Sequence, residues 1–311
     1  MFLSVIALEF PLDCGGVKGR CSETWLAAGK ASLYTGYLAL SSGVTMRNYL
    51  QPQTTGDVLR NTFVIYGKGF VPILLTYLLP TLPFQIWQAE AKAANNTALY
   101  VVSYFAAILA GLFAFGAIAI AVSDICLGNK PSVMRCYKRV FSTIPGKLLV
   151  TNFLTITCWA MPALPLFILP ARFGAASDTI KMLILFAMLA SFIVAVTVAL
   201  RLLFASSVVV LEGFWAIEAL KRSRALARGL NWRNLAVLIL IWVIVVVLVA
   251  LTSTIFTLLH VKGAFAGRMF TVGIAMIVVP VFFIAVVLLY YDSRVRKEAY
   301  DNSALAEDLR R

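Results

Sequence analysis

The chain has 311 residues, of which 61% are hydrophobic and only 13% are charged, and its mean hydropathy is +0.90. Soluble domains are close to half apolar and a quarter charged, so this composition excludes an ordinary soluble protein and indicates a polytopic membrane protein. The formal net charge of +13 would favour nucleic-acid binding in a soluble protein. In a membrane protein, basic residues instead collect in cytoplasmic loops, and we therefore expect no nucleic-acid partner.

Residues 1–45 do not follow the pattern of the rest of the chain. The segment Met1–Phe10 is apolar but too short to span a bilayer, and it lacks the basic start and cleavage site of a signal peptide. We predict that residues 1–45 are a disordered extension or an upstream mis-assigned start, with the ordered protein beginning near Met46. A membrane domain over residues 46–300 and a cytoplasmic tail over residues 301–311 complete the predicted organisation.

Six apolar runs are long enough to cross a membrane as helices, which takes roughly twenty residues each. They are Gly69–Trp87, Leu99–Val122, Leu148–Leu169, Ile180–Leu211, Leu235–Leu259 and Met269–Tyr291. The first contains Pro72, Pro80 and Pro83, which weaken its prediction as a helix. The fourth is long enough to be tilted, or to project past the membrane as one continuous helix. The predicted fold is an all-α membrane protein with six transmembrane helices.

A short amphipathic segment precedes the first, third and fifth runs, near Asp57–Lys68, Val133–Ile144 and Ala216–Arg228. Each places apolar residues on one helical face and basic residues on the other, as helices in the membrane interface do. Each segment and its following pair of runs form a unit of about eighty residues, which predicts a threefold internal repeat. The candidate contacts to lipid headgroups are Arg135, Lys138, Arg139, Lys221, Arg224 and Arg228.

The charged connections predict the orientation of the chain. The connections holding Lys130–Lys147 and Lys221–Arg233 are strongly basic, whereas those at the opposite side carry few charges. Basic connections remain in the cytoplasm, so both termini are expected there, in a multi-pass protein of the bacterial inner membrane.

An acidic residue closes the second run of each unit, at Asp124, Glu212 and Asp292. A carboxylate at the membrane boundary is partly desolvated and needs a cation or backbone donors. Arg201 interrupts the fourth run, where it either reaches the interface or pairs with an acid on a neighbouring helix. The candidate structural ion pairs therefore involve Asp124, Arg201, Glu212, Arg222, Asp292 and Arg294.

Residues that could form an active site are scarce. The five cysteines form no CxxC pair, and the sequence contains neither an HExxH motif nor a glycine-rich phosphate loop. His260 is the only histidine, and no carboxylate lies near it in sequence. We therefore predict that the protein is not an enzyme and has no catalytic residues, cofactor or metal.

Three segments resemble a known bacterial family. The stretch Thr55–Phe63, followed by an aromatic and basic stretch, resembles the opening of the glycerophosphoryl diester phosphodiesterase membrane domain, and Val208–Arg228 and Leu288–Leu305 are similar to later parts of it. The resemblance covers roughly Met46–Leu309 and implies a six-helix membrane module. Founding members also carry a catalytic barrel with a His-Arg-Gly start, a second histidine and metal-binding carboxylates. This sequence lacks that set, so the phosphodiesterase activity is not carried over.

The leading functional interpretation is a non-enzymatic membrane module that scaffolds or assists partners, or senses or handles lipid. Its expected partners are anionic membrane lipids, with a protein partner or a second copy of the chain left open. One alternative is a transporter of a small solute or lipid. The other is a membrane accessory of a separately encoded glycerophosphodiester phosphodiesterase.

Overall fold

The computed structural model describes residues 51–143, 145–173, 177–258 and 264–300, together with residues 304, 305 and 308. This part of the chain is helical and contains no β-strand, which confirms the all-α fold. The predicted extension over residues 1–45 and most of the predicted tail lie outside the described residues. The helices are α1 (Thr55–Lys68), α2 (Phe70–Ala93), α3 (Thr97–Cys126), α4 (Val133–Thr143), α5 (Pro145–Phe173), α6 (Asp178–Leu202), α7 (Ala205–Glu212), α8 (Ala216–Ala227), α9 (Asn231–Leu258) and α10 (Ala264–Glu298).

Six helical stretches are long and apolar enough to cross a membrane: they lie in α2, α3, α5, α6 together with α7, α9 and α10. Each coincides with one of the six predicted runs, and the protein is a multi-pass membrane protein. The short helices α1, α4 and α8 each precede two spans, so the predicted order of one amphipathic helix and two spans occurs three times. We call the end of the bundle formed by α1, α4 and α8 the basic end.

Helices α3 and α10 form the centre of the bundle near the basic end. Every residue from Ala114 to Ile125 of α3 and from Ile284 to Arg294 of α10 is buried. The hydroxyls of Ser123 and Tyr291 lie 2.5 Å apart and link the two helices. By contrast, α6 exposes large apolar side chains along most of its length, as expected of a helix that faces lipid.

Helix α2 continues through Pro80 and Pro83, which the sequence pattern treated as interruptions. A proline lacks the N–H that would bond the carbonyl four residues earlier, so Pro80 leaves the Thr76 carbonyl without its helical partner. The Tyr137 hydroxyl of α4 donates to that carbonyl at 2.5 Å. The proline is therefore tolerated because a neighbouring helix supplies the missing hydrogen bond, and the same bond attaches α4 to the bundle.

Of the two alternatives for the fourth run, one continuous projecting helix does not hold, because α6 ends at Leu202 and α7 begins at Ala205. The break is stabilised by Ser223 of α8. Its hydroxyl accepts a hydrogen bond from the Phe204 N–H at 3.1 Å and donates to the Arg201 carbonyl at 3.0 Å. One side chain thus pairs two backbone groups that the break leaves without helical partners.

Candidate functional site

A cluster of charged and hydroxyl side chains occupies the basic end, where α10 leaves the core. We call this cluster the polar network. It links the residue Gln53 before α1 with α7, α8, α9, α10 and the residues after α10, through direct hydrogen bonds and ion pairs. Its members are Gln53, Glu212, Arg222, Arg233, Tyr290, Asp292, Arg294, Arg296, Glu298, Tyr300 and Asp308.

Asp292 is the most buried acid of the network, and its side chain has no exposed surface. Its Oδ2 atom lies 2.5 Å from Arg233 Nη1 and 2.8 Å from Arg296 Nε, and its Oδ1 atom accepts the Gln53 N–H at 2.7 Å. Arg296 also donates to the Gln53 carbonyl at 2.6 Å. One carboxylate therefore holds together the approach to α1, the start of α9 and the end of α10.

Glu212 ends α7 and joins it to α8 and α10. Its carboxylate accepts hydrogen bonds from Arg222 Nε at 2.8 Å and from the Tyr290 hydroxyl at 2.7 Å. Arg222 also lies 2.5 Å from Glu298. Burial disfavours the charged form of Arg222, but the hydrogen bonds to Glu298 and Glu212 outweigh it and raise the pKa of the guanidinium. Glu212 and Arg222, two of the six residues expected to form ion pairs, are thus brought together.

Arg294 pairs with residues other than the acids that close the spans. It lies 2.7 Å from Asp308 and 3.1 Å from Glu298, and its guanidinium stacks 3.7 Å from the centre of the Tyr300 ring. The Tyr300 hydroxyl donates to Asp308 at 2.8 Å. Burial, together with this bond to Asp308, raises the pKa of Tyr300 above its ordinary value. Arg294 therefore attaches the residues after α10 to the bundle.

The sequence pattern missed the two arginine partners of Asp292. Arg296 follows Asp292 by four residues on one helix, and this i,i+4 spacing of opposite charges is a signal that could have identified it. Arg233 lies 59 residues earlier in the chain, on α9, and no local spacing points to it.

Asp124 forms no ion pair among the described residues, and Arg201 follows the alternative in which it does not pair with an acid. Asp124 is buried, and among the described residues its Oδ2 atom has no hydrogen-bond partner. The cations Arg135 and Arg139 act on it only through longer-range charge interaction. Arg201 is exposed at the end of α6 and forms no ion pair within the described part of the chain.

Arg201 instead lines a cavity of about 360 Å³ at the basic end. Its wall is formed by Arg201, Arg224, Arg228, Gly229 and Asn231. We call it the basic cavity.

Two features shape the turn between α8 and α9 at this cavity. Gly229 has a φ of +84°, which glycine adopts without strain, and this permits a tight turn directly before α9. Lys297 donates hydrogen bonds to the Ala225 and Arg228 carbonyls at 2.5 and 2.7 Å, which ties the turn to α10. The arginines at the end of α8 therefore sit on a fixed backbone beside the end of α6.

A second cavity of about 360 Å³ adjoins the first between α6 and α9. It is lined almost entirely by apolar side chains, and Asn231 belongs to both walls. We call it the apolar groove. Its lining residues are Phe192, Ile193, Val196, Thr197, Leu200, Asn231, Trp232 and Leu235.

Five of the six residues proposed to contact lipid headgroups are exposed at the basic end, and the sixth, Arg139, is partly buried. Arg224 and Arg228 line the basic cavity, whereas Arg135, Lys138 and Lys221 are exposed on α4 and α8. Arg139 donates to the Asp308 carbonyl at 3.1 Å.

The sequence profile of the DUF8558 family, described as a domain of unknown function, matches residues 85–310, well over half of the chain. The match includes α3 to α10, and therefore the basic cavity and all of the polar network except Gln53. No curated protein and no solved structure matches the chain. The chain belongs to the DUF8558 family.

Proposed function

We propose that this protein is a non-enzymatic membrane module that binds anionic lipids at its basic end. The observation that carries the proposal is that the acids of the polar network are paired, whereas many basic residues at the same end are exposed. The acids Glu212, Asp292, Glu298 and Asp308 are all paired with arginines inside the polar network. The exposed basic side chains of α4 and α8 are consequently left with a surplus of positive charge.

A surplus of this kind at the membrane boundary attracts anionic headgroups, at about 1 kcal/mol for each basic residue near the surface. The short helices α4 and α8 place the surplus there, because each lies directly before a membrane-spanning pair. The buried carboxylates Glu212 and Asp292 are committed to ion pairs, which favours a structural role for them over a catalytic one. The resemblance to the glycerophosphoryl diester phosphodiesterase membrane domain also supports a membrane module.

The same charge distribution favours a bacterial inner-membrane protein with the basic end and both termini in the cytoplasm. Reporter fusions after Arg139, Arg228 and Arg311 should then report cytoplasm, and fusions near Asn95 and Ser177 the outside. An inverted result at any two of these positions would contradict the orientation.

Lipid binding is tested on the full chain in nanodiscs of phosphatidylcholine, with and without phosphatidylglycerol. We expect phosphatidylglycerol to raise the thermal unfolding temperature, and salt to weaken that increase, because exposed charges are screened within about 10 Å at 0.1 M salt. Equal unfolding temperatures in the two lipids at low salt would contradict the proposed function. Lipids that co-purify in mild detergent should be enriched in anionic species.

A further inference from the structure

The basic cavity and the apolar groove share a wall, and together they have the shape and chemistry of one phospholipid site. We propose that they bind a single anionic phospholipid, with its phosphate among Arg201, Arg224 and Arg228 and an acyl chain in the groove. This inference rests on the proposed lipid-binding function and assigns it to one place. It also gives Arg201, which pairs with no acid in the described structure, a role as a headgroup ligand.

The charge of the basic cavity favours an anion. Three guanidinium groups line a space of about 360 Å³, and none of its lining residues is acidic. Like charges that line one cavity repel one another, and a phosphate would relieve the repulsion while accepting hydrogen bonds from the planar arginine forks. Asn231 is the first residue of α9, so the positive end of that helix dipole also faces the cavity.

The adjoining groove favours a lipid over a soluble phosphate. It runs along α6 from Leu200 to Phe192, about 12 Å at 1.5 Å per residue, toward the middle of the membrane span. Phe192 and Ile193 leave more than half of their surfaces exposed there. An acyl chain would cover this apolar surface, while the same lipid's phosphate would lie at the end of α6, where the arginines are.

Trp232 provides a reporter at this site. It lines the groove near the basic cavity and is 85% exposed, in the amphipathic position that tryptophan prefers at membrane interfaces. A heavy atom on a bound acyl chain would therefore quench its fluorescence. The chain has six tryptophans, so the contribution of Trp232 is taken as the difference between each protein and its Trp232→Phe counterpart.

The experiment titrates phosphatidylglycerol with brominated acyl chains into phosphatidylcholine nanodiscs that hold the full chain. Brominated phosphatidylcholine measures quenching without an anionic headgroup. We expect the Trp232 signal to show saturable binding of the anionic lipid. The double variant Arg201→Gln/Arg224→Gln should weaken that binding by at least about tenfold, the scale of one lost charge-assisted hydrogen bond.

The matched control is Arg60→Gln/Lys130→Gln, which removes the same charge from exposed positions at the same end that are not among the candidate headgroup contacts. It should change binding at Trp232 by less than about twofold, because salt screens the attraction of the phosphate to distant surface charges more than its attraction to charges in the cavity. Equal losses in the two double variants would overturn the single site while leaving general anionic-lipid binding intact. The site is also wrong if phosphatidylglycerol adds quenching only at other tryptophans.

A final arm separates a lipid site from an anion site. Soluble glycerol phosphate, added at the same phosphate concentration, should fail to displace the brominated lipid, because it cannot fill the groove. Displacement at equal concentration would overturn the assignment to a lipid. If the unaltered protein showed no preference for phosphatidylglycerol over phosphatidylcholine in any assay, the proposed function itself would fail, and this site with it.

Discussion

Replacing Ser223 by alanine removes the hydroxyl that pairs both backbone groups at the break between α6 and α7. The Phe204 N–H and the Arg201 carbonyl lie 3.1 and 3.0 Å from this hydroxyl. Phe204 and Ser223 are both fully buried, so no water takes the place of the lost hydroxyl as the acceptor for the Phe204 N–H. The substitution therefore leaves the buried Phe204 N–H unpaired and removes the hydrogen bond to the Arg201 carbonyl.

The expected loss follows from those two bonds. An unpaired buried donor costs about 1–3 kcal/mol, and a typical lost hydrogen bond contributes about 1 kcal/mol more. We therefore expect Ser223→Ala to lower the free energy of unfolding by about 2–4 kcal/mol. Ser207 provides a matched control, because it is also fully buried and its hydroxyl has no hydrogen-bond partner among the described residues. Ser207→Ala should leave the free energy of unfolding unchanged or raise it by up to about 1 kcal/mol, because it removes an unpaired buried hydroxyl.

Both variants are measured by reversible denaturation in mixed micelles, followed by tryptophan fluorescence. Hydrogen exchange adds a local readout, since the Phe204 amide should exchange faster in Ser223→Ala but not in Ser207→Ala. If the two variants differ by less than about 1 kcal/mol, the role assigned to Ser223 is wrong. Unchanged protection of the Phe204 amide would refute it independently.

Three further predictions concern the basic end. Glu212→Gln should lower the free energy of unfolding by about 2 kcal/mol, because it removes the charge opposite the partly buried Arg222. Glu90→Gln, at an exposed position, should change this free energy by less than about 0.5 kcal/mol. Asp124→Asn should be neutral or stabilising by up to about 1 kcal/mol, since its buried carboxylate lacks an ion pair; a loss as large as that of Glu212→Gln would contradict this. Burial, helped by the nearby charge of Asp124, raises the pKa of Cys136 to about 12. In a variant whose only cysteine is Cys136, maleimide labelling at pH 8 should be about a thousandfold slower in the folded than in the unfolded protein, and comparable rates would refute the burial of this thiol.

The transmembrane architecture was predictable because its cause is local. A helix needs roughly twenty apolar residues to cross the bilayer, and in lipid it must pair its own backbone groups. The apolar runs therefore located all six spans. The alternation of apolar and basic residues likewise located α1, α4 and α8 before their pairs of spans. The pairing of Glu212 with Arg222 was also predictable from local sequence, because the two residues are only ten apart and one turn separates their helices.

The break between α6 and α7 was not predictable from its own residues. The run Ile180–Leu211 is apolar on both sides of the break, and no proline or glycine lies near Leu203 to end a helix there. Its stability comes from Ser223, twenty residues further along the chain, which becomes a neighbour only when α8 packs against the bundle.

The partners of the buried charges and the basic cavity depend on the tertiary structure for the same reason. Asp292 meets Arg233 and the backbone of Gln53, which lies 239 residues away, because α10 ends between α1 and α9. Arg201 and Arg224 reach one cavity from different helices. The sequence by itself determined which residues are in the membrane and which are at its boundary, since burial in lipid acts on each segment separately. Only the tertiary structure decided which charges meet, because an ion pair depends on the distance between helices that hydropathy does not encode.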